Sequence, residues 1–468
     1  MRYVSTRGGV EGLSFCDAVM MGLAADGGLL VPAAIPDISQ QLDRLVGMSY
    51  QEIASYVMGH FIDDIPSAEL ESIIRHSYET FDDPKVTPLV EVDDVYILEL
   101  FHGPTLAFKD IALQFLGNVF EYVLKKRGGK LNIVGATSGD TGSAAIAGVR
   151  GKDNINIFVM FPEGRTSALQ EKQMTTVLDD NVRNLAIQGS FDDCQSILKD
   201  LFNDLEFKDS FELGAVNSVN WARILAQVVY YFSTYVQLGA PERFQVSVPT
   251  GNFGNIFAGY VARSMGLPIE PLVLATNQND ILHRFFSTGK YERGEVHFTQ
   301  SPAMDIQVAS NFERYLYFKF DQDPEKVKSF MSDFVSKGVA TTNLADLKLN
   351  SEFVSGCVSD QATLATVKRT FDRSGYLLDP HTAVAVQVGL QNRRPDVPLV
   401  CLSSAHPAKF EENMRLAIPN IEVRHPALEA IKELPERKAL LNRNFEEVKN
   451  FIITFNSQSD PLSPQEAP

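Results

Sequence analysis

Cysteine is scarce in this chain. Four residues in 468, Cys16, Cys194, Cys357 and Cys401, are scattered without C-x-x-C spacing, which argues against a disulfide framework and a zinc knuckle. No H-E-x-x-H is present either, so no metal site is expected. Basic residues are outnumbered, 42 against 59 acidic ones, for a net charge of −17. The densest basic cluster, Lys125-Lys126-Arg127, runs into Gly128-Gly129 and reads as a helix end, so no nucleic-acid partner is expected. No apolar run is long enough to span a bilayer, and Met1–Gly9 lacks the apolar core of a signal peptide. The expectation is a cytoplasmic protein without a membrane partner. There is no repeat of fixed period.

Apolar residues make up 44% of the chain and charged residues 22%, ordinary globular values, and the length calls for two or three compact units. Between residues 37 and 81, Leu42, Leu45, Val46, then Ile53, Val57, Phe61, then Leu70, Ile73, Ile74 recur at helical intervals, predicting a largely helical N-terminal domain over residues 1–95. Beyond Pro84 and Pro88 the pattern becomes short β-branched runs, glycine-rich turns and helical stretches. Val95–Leu100, Leu131–Gly135, Ile155–Phe161, Asn184–Gln188, Phe244–Val248, Leu272–Ala275 and Leu399–Leu402 are the strand candidates. Repeated strand then helix predicts an α/β region of parallel sheets over 96–454. The polar, proline-rich end, residues 455–468, is expected to be a disordered tail.

Four strand-to-loop segments carry chemistry. Phe101-His102-Gly103-Pro104-Thr105-Leu106-Ala107-Phe108-Lys109-Asp110 places a lysine at the turn into a helix. Desolvation beside Phe108 would lower its pKa and suit it to Schiff-base chemistry; the alternative is a solvated lysine paired with Asp110. Ile133-Val134-Gly135-Ala136-Thr137-Ser138-Gly139-Asp140-Thr141-Gly142-Ser143 turns small residues onto a helix N-terminus that favours a carboxylate or phosphate, unless Asp140 or Ser143 is only a cap. A nucleophile elbow around Ser138 would need glycine where Ala136 and Asp140 stand. Val246-Ser247-Val248-Pro249-Thr250-Gly251-Asn252-Phe253-Gly254-Asn255 repeats the design, with Gly251 and Gly254 allowing positive φ and close backbone approach, so that amides can surround a phosphate. Its spacing is not the dinucleotide fingerprint, and no phosphate-loop motif occurs. Leu399-Val400-Cys401-Leu402-Ser403-Ser404-Ala405-His406 ends a buried strand in two hydroxyls suited to a pyridine nitrogen or to a turn. A further stretch, Asn217-Ser218-Val219-Asn220-Trp221-Ala222-Arg223, brings Ser218 and Arg223 to a helix start, either to hold an anion or as a cap with a surface arginine.

Together and in this order, from Tyr3-Val4-Ser5-Thr6-Arg7-Gly8 to Ala405-His406-Pro407-Ala408-Lys409-Phe410, these segments resemble the threonine synthases, members of the tryptophan-synthase-β-like, fold type II pyridoxal-phosphate enzymes. The resemblance implies two parallel-sheet lobes around a cofactor cleft plus the N-terminal helical region. It makes Lys109 the catalytic lysine that carries pyridoxal 5'-phosphate as a Schiff base. Gly251, Asn252, Phe253, Gly254 and Asn255 would hold the cofactor phosphate, and Ser404, or its neighbour Ser403, would face the ring nitrogen. Ser138, Gly139, Asp140 and Thr141 would take the amino-acid carboxylate, and Ser218 and Arg223 the substrate phosphate. The implied reaction turns O-phospho-L-homoserine and water into L-threonine and phosphate in a monomer or homodimer. A serine or threonine dehydratase shares the lysine and glycine loops, and a non-catalytic relative keeps the fold alone.

Overall fold

The computed structural model describes residues 1–345, 347 and 352–459. It divides into two compact units, Met1–Val119 with Ser218–His425, and Phe120–Asn217 with the C-terminal segment from Pro426. The boundary expected near residue 95 thus falls inside the first unit. The reason lies in the core: Trp221, fully buried, packs against Tyr3 and Phe61 at 6.1 and 5.9 Å between ring centroids, and the Tyr3 hydroxyl donates to the Phe61 carbonyl. The N-terminal region contains helices Tyr50–Gly59 and Ser67–Tyr78. Ser49 and Glu52 start the first of these with a reciprocal capping box. Residues 39–45 wind as a 3-10 helix.

The largest sheet of the first unit has, among the described residues, six strands in the order Phe353–Cys357, Leu272–Thr276, Gln245–Pro249, Leu399–Ser403, Val95–Glu99, Leu89–Val92. The first five run parallel. The last is antiparallel, joined by a two-residue hairpin turn in which Asp93 adopts φ 52°. Gln245–Pro249 and Leu399–Ser403 are buried at every position, which is why they read as continuous runs rather than as alternation.

The second unit holds an all-parallel sheet ordered Ala439–Asn442, Val182–Gln188, Ile155–Pro162, Leu131–Ala136, Leu213–Gly214. Its core joins Phe158, Met160, Leu185 and Ile187 of the strands to Ile197 and Leu201 of helix Phe191–Asn203 and to Val448, Ile452 and Phe455. Helix Phe445–Ser459 therefore takes in the first five residues of the segment expected as a tail, because Phe455 is a core residue. Residues 460–468 lie outside the described residues.

All seven strand candidates form. The strands that composition missed, such as Leu89–Val92, Phe353–Cys357 and Ala439–Asn442, lie at sheet edges, where half-exposed positions carry no apolar run. No helix of the described residues is long and apolar enough to cross a membrane.

Since Ile452 is fully buried in the second unit, Ile452→Ala is expected to cost about 2–5 kcal/mol in urea denaturation. A loss below about 0.5 kcal/mol, the range of surface substitutions, would show that the C-terminal helix does not complete that core.

Candidate active site

Strands Gln245–Pro249, Leu399–Ser403 and Val95–Glu99 are adjacent and parallel, so the chain leaves all three at one edge of the sheet. Neighbouring strands lie about 4.8 Å apart, and the loops that follow start side by side. They carry Gly251–Asn255, Ser404 and Lys109. Backbone bonds then zip two of them together. The amides of Leu100 and Phe108 donate to the carbonyls of Ser403 and Ser404, and that of His406 to Leu106, at 2.8–3.1 Å.

Lys109 opens helix Lys109–Arg127, and the loop before it is held by the next residue. Asp110, fully buried, accepts from the Thr105 amide at 2.8 Å and the Thr105 hydroxyl at 2.7 Å. A Cβ on Gly103 would stand 2.5 Å from that of Asp110, so only glycine fits there. Buried Lys409 donates to the Thr105 carbonyl at 2.6 Å. Burial pushes the Asp110 carboxyl up to about 6, while the Thr105 bonds and the Lys409 charge oppose the shift.

The two hydroxyls at the strand end separate. Ser403 Oγ lies 2.9 Å from Thr382 Oγ1 in a chain of hydroxyls that ends on the buried Asp379 carboxylate. The Ser404 hydroxyl has no partner among the described residues, so of the pair it is the one available to a ligand.

The Gly251–Asn255 loop corrects one expectation. Neither glycine takes a positive φ; Phe253 does, at 64°, as the residue capping helix Gly254–Ser264. A phenylalanine in that region costs about 1–3 kcal/mol, and its burial among Phe312, Tyr315, Phe286 and Phe353 holds it there. The glycines serve close approach, the other use expected of them. A Cβ at Gly251 would lie 2.9 Å from the Ala303 carbonyl, and one at Gly254 3.3 Å from Asn311 Nδ2. The amides of residues 251–256 have no acceptor among the described residues, which is the donor set a phosphate monoester needs at a helix N-terminus. Asn252 is exposed. Asn255 receives the hydroxyls of Tyr230 and Tyr231 on its Oδ1.

Ser218 and Arg223 do not form a cap with a surface arginine. Asn220 caps helix Trp221–Gln237, accepting from the Ala222 amide at 3.0 Å. Arg223 is 4% exposed, and its Nε and Nη1 find no hydrogen-bond partner. Burial draws it down to about 10, so it stays charged at neutral pH. A buried cation with orphaned donors is costly unless an anion answers it. Ser218 Oγ lies 2.8 Å from Ser310 Oγ. Asn311 ties this stretch to the glycine loop, its Nδ2 donating to the carbonyls of Ser218 at 3.2 Å and Asn252 at 3.0 Å. Sequence reasoning missed Asn311, Arg314, Tyr230 and Tyr231. The adjacent tyrosines of a largely apolar helix stretch, Val228-Val229-Tyr230-Tyr231-Phe232, were the signal available for the last two; the first two match no motif.

In the second unit, Gly139 itself caps helix Asp140–Val149 without a side-chain bond, with φ 155°. Neither Asp140 nor Ser143 is the cap. Thr137 Oγ1 accepts from the amides of Gly139 and Gly142 at 3.0 Å, and Asp140 Oδ1 from Gln170 at 2.8 Å. Ser138 is exposed, and its amide and that of Thr141 remain open as donors.

A cavity of about 380 Å³ borders the Lys109 and Ser404 loops, lined among others by Glu99, His102, Tyr376, His406 and His425. No lysine or arginine lines it. Burial and the neighbouring histidines hold His406 near 4, neutral at physiological pH, so the cavity does not suit a phosphate; Arg223 does.

Asp110 generates a pH prediction. A folded-state carboxyl raised above its unfolded value favours the protonated native state, so its contribution is largest at low pH and is lost as pH rises from about 4 to 6. Asp110→Asn is expected to remove about 3 kcal/mol of that dependence, read as the difference between wild-type and variant urea stabilities at pH 4 and pH 7. Parallel curves would show that Asp110 titrates normally.

Comparison with known proteins agrees along the whole length. The family models described as threonine synthase N terminus, pyridoxal-phosphate dependent enzyme, and threonine synthase C-terminal match residues 2–78, 81–398 and 382–452. The threonine synthase of Pseudomonas aeruginosa is 46% identical over 99% of this chain and 100% of its own. The structure of the PLP-bound threonine synthase from Brucella melitensis superposes with a TM-score of 0.95 at 46% identity, covering 97% of this chain and 99% of that one. The yeast enzyme gives 0.93 at 41%, covering 98% and 99%. The open amides of residues 251–256, the free Ser404 hydroxyl and Lys109 on one sheet edge fit pyridoxal phosphate, and the chain belongs to the threonine synthase family of fold type II pyridoxal-phosphate enzymes.

Proposed function

We propose that the chain converts O-phospho-L-homoserine and water to L-threonine and phosphate, as a cytoplasmic enzyme acting on this small substrate. The observation that carries the reading is Arg223, a buried guanidinium with two unanswered donor atoms, in a stretch whose Ser218 carbonyl is bonded by Asn311, which also bonds a loop suited to another phosphate. A dehydratase of the same fold has no use for this second anion site.

Pyridoxal phosphate, when bound, supplies an electron sink that acidifies the carbon bearing the substrate amine. Lys109 is assigned to hold the cofactor and then to move protons, taking them from Cα and Cβ and returning them at Cγ and Cα, a task for an amine at the mouth of a helix. Gly251–Asn255 would hold the cofactor phosphate on backbone amides, and Ser404 would answer the ring nitrogen with a hydroxyl, which does not force protonation. Arg223 and Ser218 are assigned to hold the substrate phosphate as the Cγ–O bond breaks and charge builds on the leaving group. Water then adds its hydroxyl at Cβ, so that one phosphate leaves for each water consumed. The Ser138–Thr141 turn of the second unit has the open amides a carboxylate requires.

Lys109→Ala is expected to abolish both the visible cofactor absorbance and phosphate release from O-phosphohomoserine. Arg223→Met should keep the absorbance and lower kcat/KM by about 10²–10³-fold. Wild-type protein that binds cofactor, releases no phosphate and deaminates serine or threonine would replace this reading with the dehydratase.

A further inference from the structure

Helix Phe312–Lys319 begins with consecutive residues that each reach a different part of the first unit. Asn311 holds the carbonyls of Ser218 and Asn252 through its Nδ2, and its own amide donates to Asn252 at 3.1 Å. Arg314, fully buried, bonds the Asn311 Oδ1 and the carbonyl of Val219, and donates from Nε and Nη2 to the Leu30 carbonyl at 3.1 and 3.0 Å. Both anion-binding stretches therefore hang on the start of this helix. What fixes the helix start is the N-terminal segment. Glu313, 4% exposed, receives the Thr6 hydroxyl at 2.6 Å on Oε1 and Arg7 in a two-pronged contact, Nε to Oε1 at 3.0 Å and Nη2 to Oε2 at 2.8 Å. Thr6 is buried too and is itself set by the Leu29 amide at 2.8 Å. Leu30, which receives Arg314, lies in the strand that pairs with Tyr3–Ser5.

We propose that Thr6 and Arg7 are positioning residues for the substrate-phosphate site: by holding Glu313 they set Asn311 and Arg314, and these aim Ser218, Arg223 and the glycine loop. A buried carboxylate whose partners are removed must find others or water, and on this proposal Glu313 does so by shifting the helix start that carries Asn311. The arginine matters as a fork, because its two parallel bonds fix the carboxylate plane, which a lysine does not.

This inference rests on the reading of Ser218 and Arg223 as the substrate-phosphate site, and the test separates the two. Holoenzymes of the wild type, Thr6→Val, Thr6→Ser, Arg7→Lys and Arg7→Ala are titrated calorimetrically with inorganic phosphate and assayed with O-phosphohomoserine. The expected result is a KM and a phosphate Kd about tenfold weaker in Thr6→Val and Arg7→Lys, the size of one lost charge-assisted contact. In both, kcat stays within about threefold and the cofactor absorbance is unchanged; Thr6→Ser, which keeps the hydroxyl, retains wild-type values. Should Arg7→Ala fail to fold, Thr6→Val and Arg7→Lys decide. Phosphate Kd and KM equal to wild type in variants with a lowered Tm, or loss of cofactor absorbance in step with activity, would overturn the proposal in favour of a general scaffold role. Wild-type holoenzyme that binds phosphate without turning over would sink the functional reading yet leave the positioning test readable from Kd alone.

Discussion

Two guanidinium groups are buried in the first unit, and the contrast between them organises the site. Arg314 is saturated: carbonyls of Leu30 and Val219 and the Asn311 side chain take its donors, and the Trp221 ring lies 5.9 Å from it. Arg223 sits close in sequence to the same tryptophan and has Nε and Nη1 unanswered. Burying a cation is unfavourable in both cases. In the first the fold itself supplies the compensation, so Arg314 acts as a structural tie; in the second the fold does not, and the proposed binding role of Arg223 would supply it. The satisfied arginine holds the segment that presents the unsatisfied one.

The sheet edge is connected in a similar way. Three parallel strands end together, and the loops they release are linked by backbone bonds between Phe108 and Ser404 and between Leu106 and His406. These bonds are independent of side-chain identity, so the placing of Lys109 against Ser404 follows from topology and register rather than from a recognition contact. Side chains refine it: Asp110 closes the Thr105 turn, Lys409 reaches the Thr105 carbonyl, and Ser403 is drawn aside by Thr382, leaving Ser404 free.

Much of this framework is legible in the amino-acid order alone. The buried strands are readable because full burial on both faces demands uninterrupted apolar runs, and the loops after them because glycine and small hydroxyl residues cluster where a chain turns onto a helix. What cannot be read is anything that depends on a distant partner. The glycine loop is expected to use Gly251 and Gly254 for positive φ, yet the left-handed residue is Phe253, held by an aromatic cluster contributed from residues 286, 312, 315 and 353. Asn220 rather than Ser218 caps its helix, Arg223 is buried, and the neighbouring Trp221 is covered by Tyr3 and Phe61 from far away in sequence. The N-terminal helices look like a domain of their own by periodicity, but periodicity shows that a face is apolar and not what covers it.

On the proposed assignment the chain meets two phosphates and treats them by different physics. The cofactor phosphate is a resident, and backbone amides at a helix N-terminus suit it. They cannot rotate away, they carry only partial charge, and their geometry is set by a strained Phe253 that the core over-determines. The substrate phosphate must arrive, carry growing negative charge as its bond to carbon breaks, and depart. A side-chain guanidinium is suited to that cycle, since its full charge responds most strongly when the leaving group is most negative. Its burial sharpens the response by excluding water and also penalises the unbound state. A site built only of amides would bind both phosphates alike, and one built only of arginines would hold the departing ion. Asn311, bonded to both stretches, couples the two solutions within one rigid start of a helix.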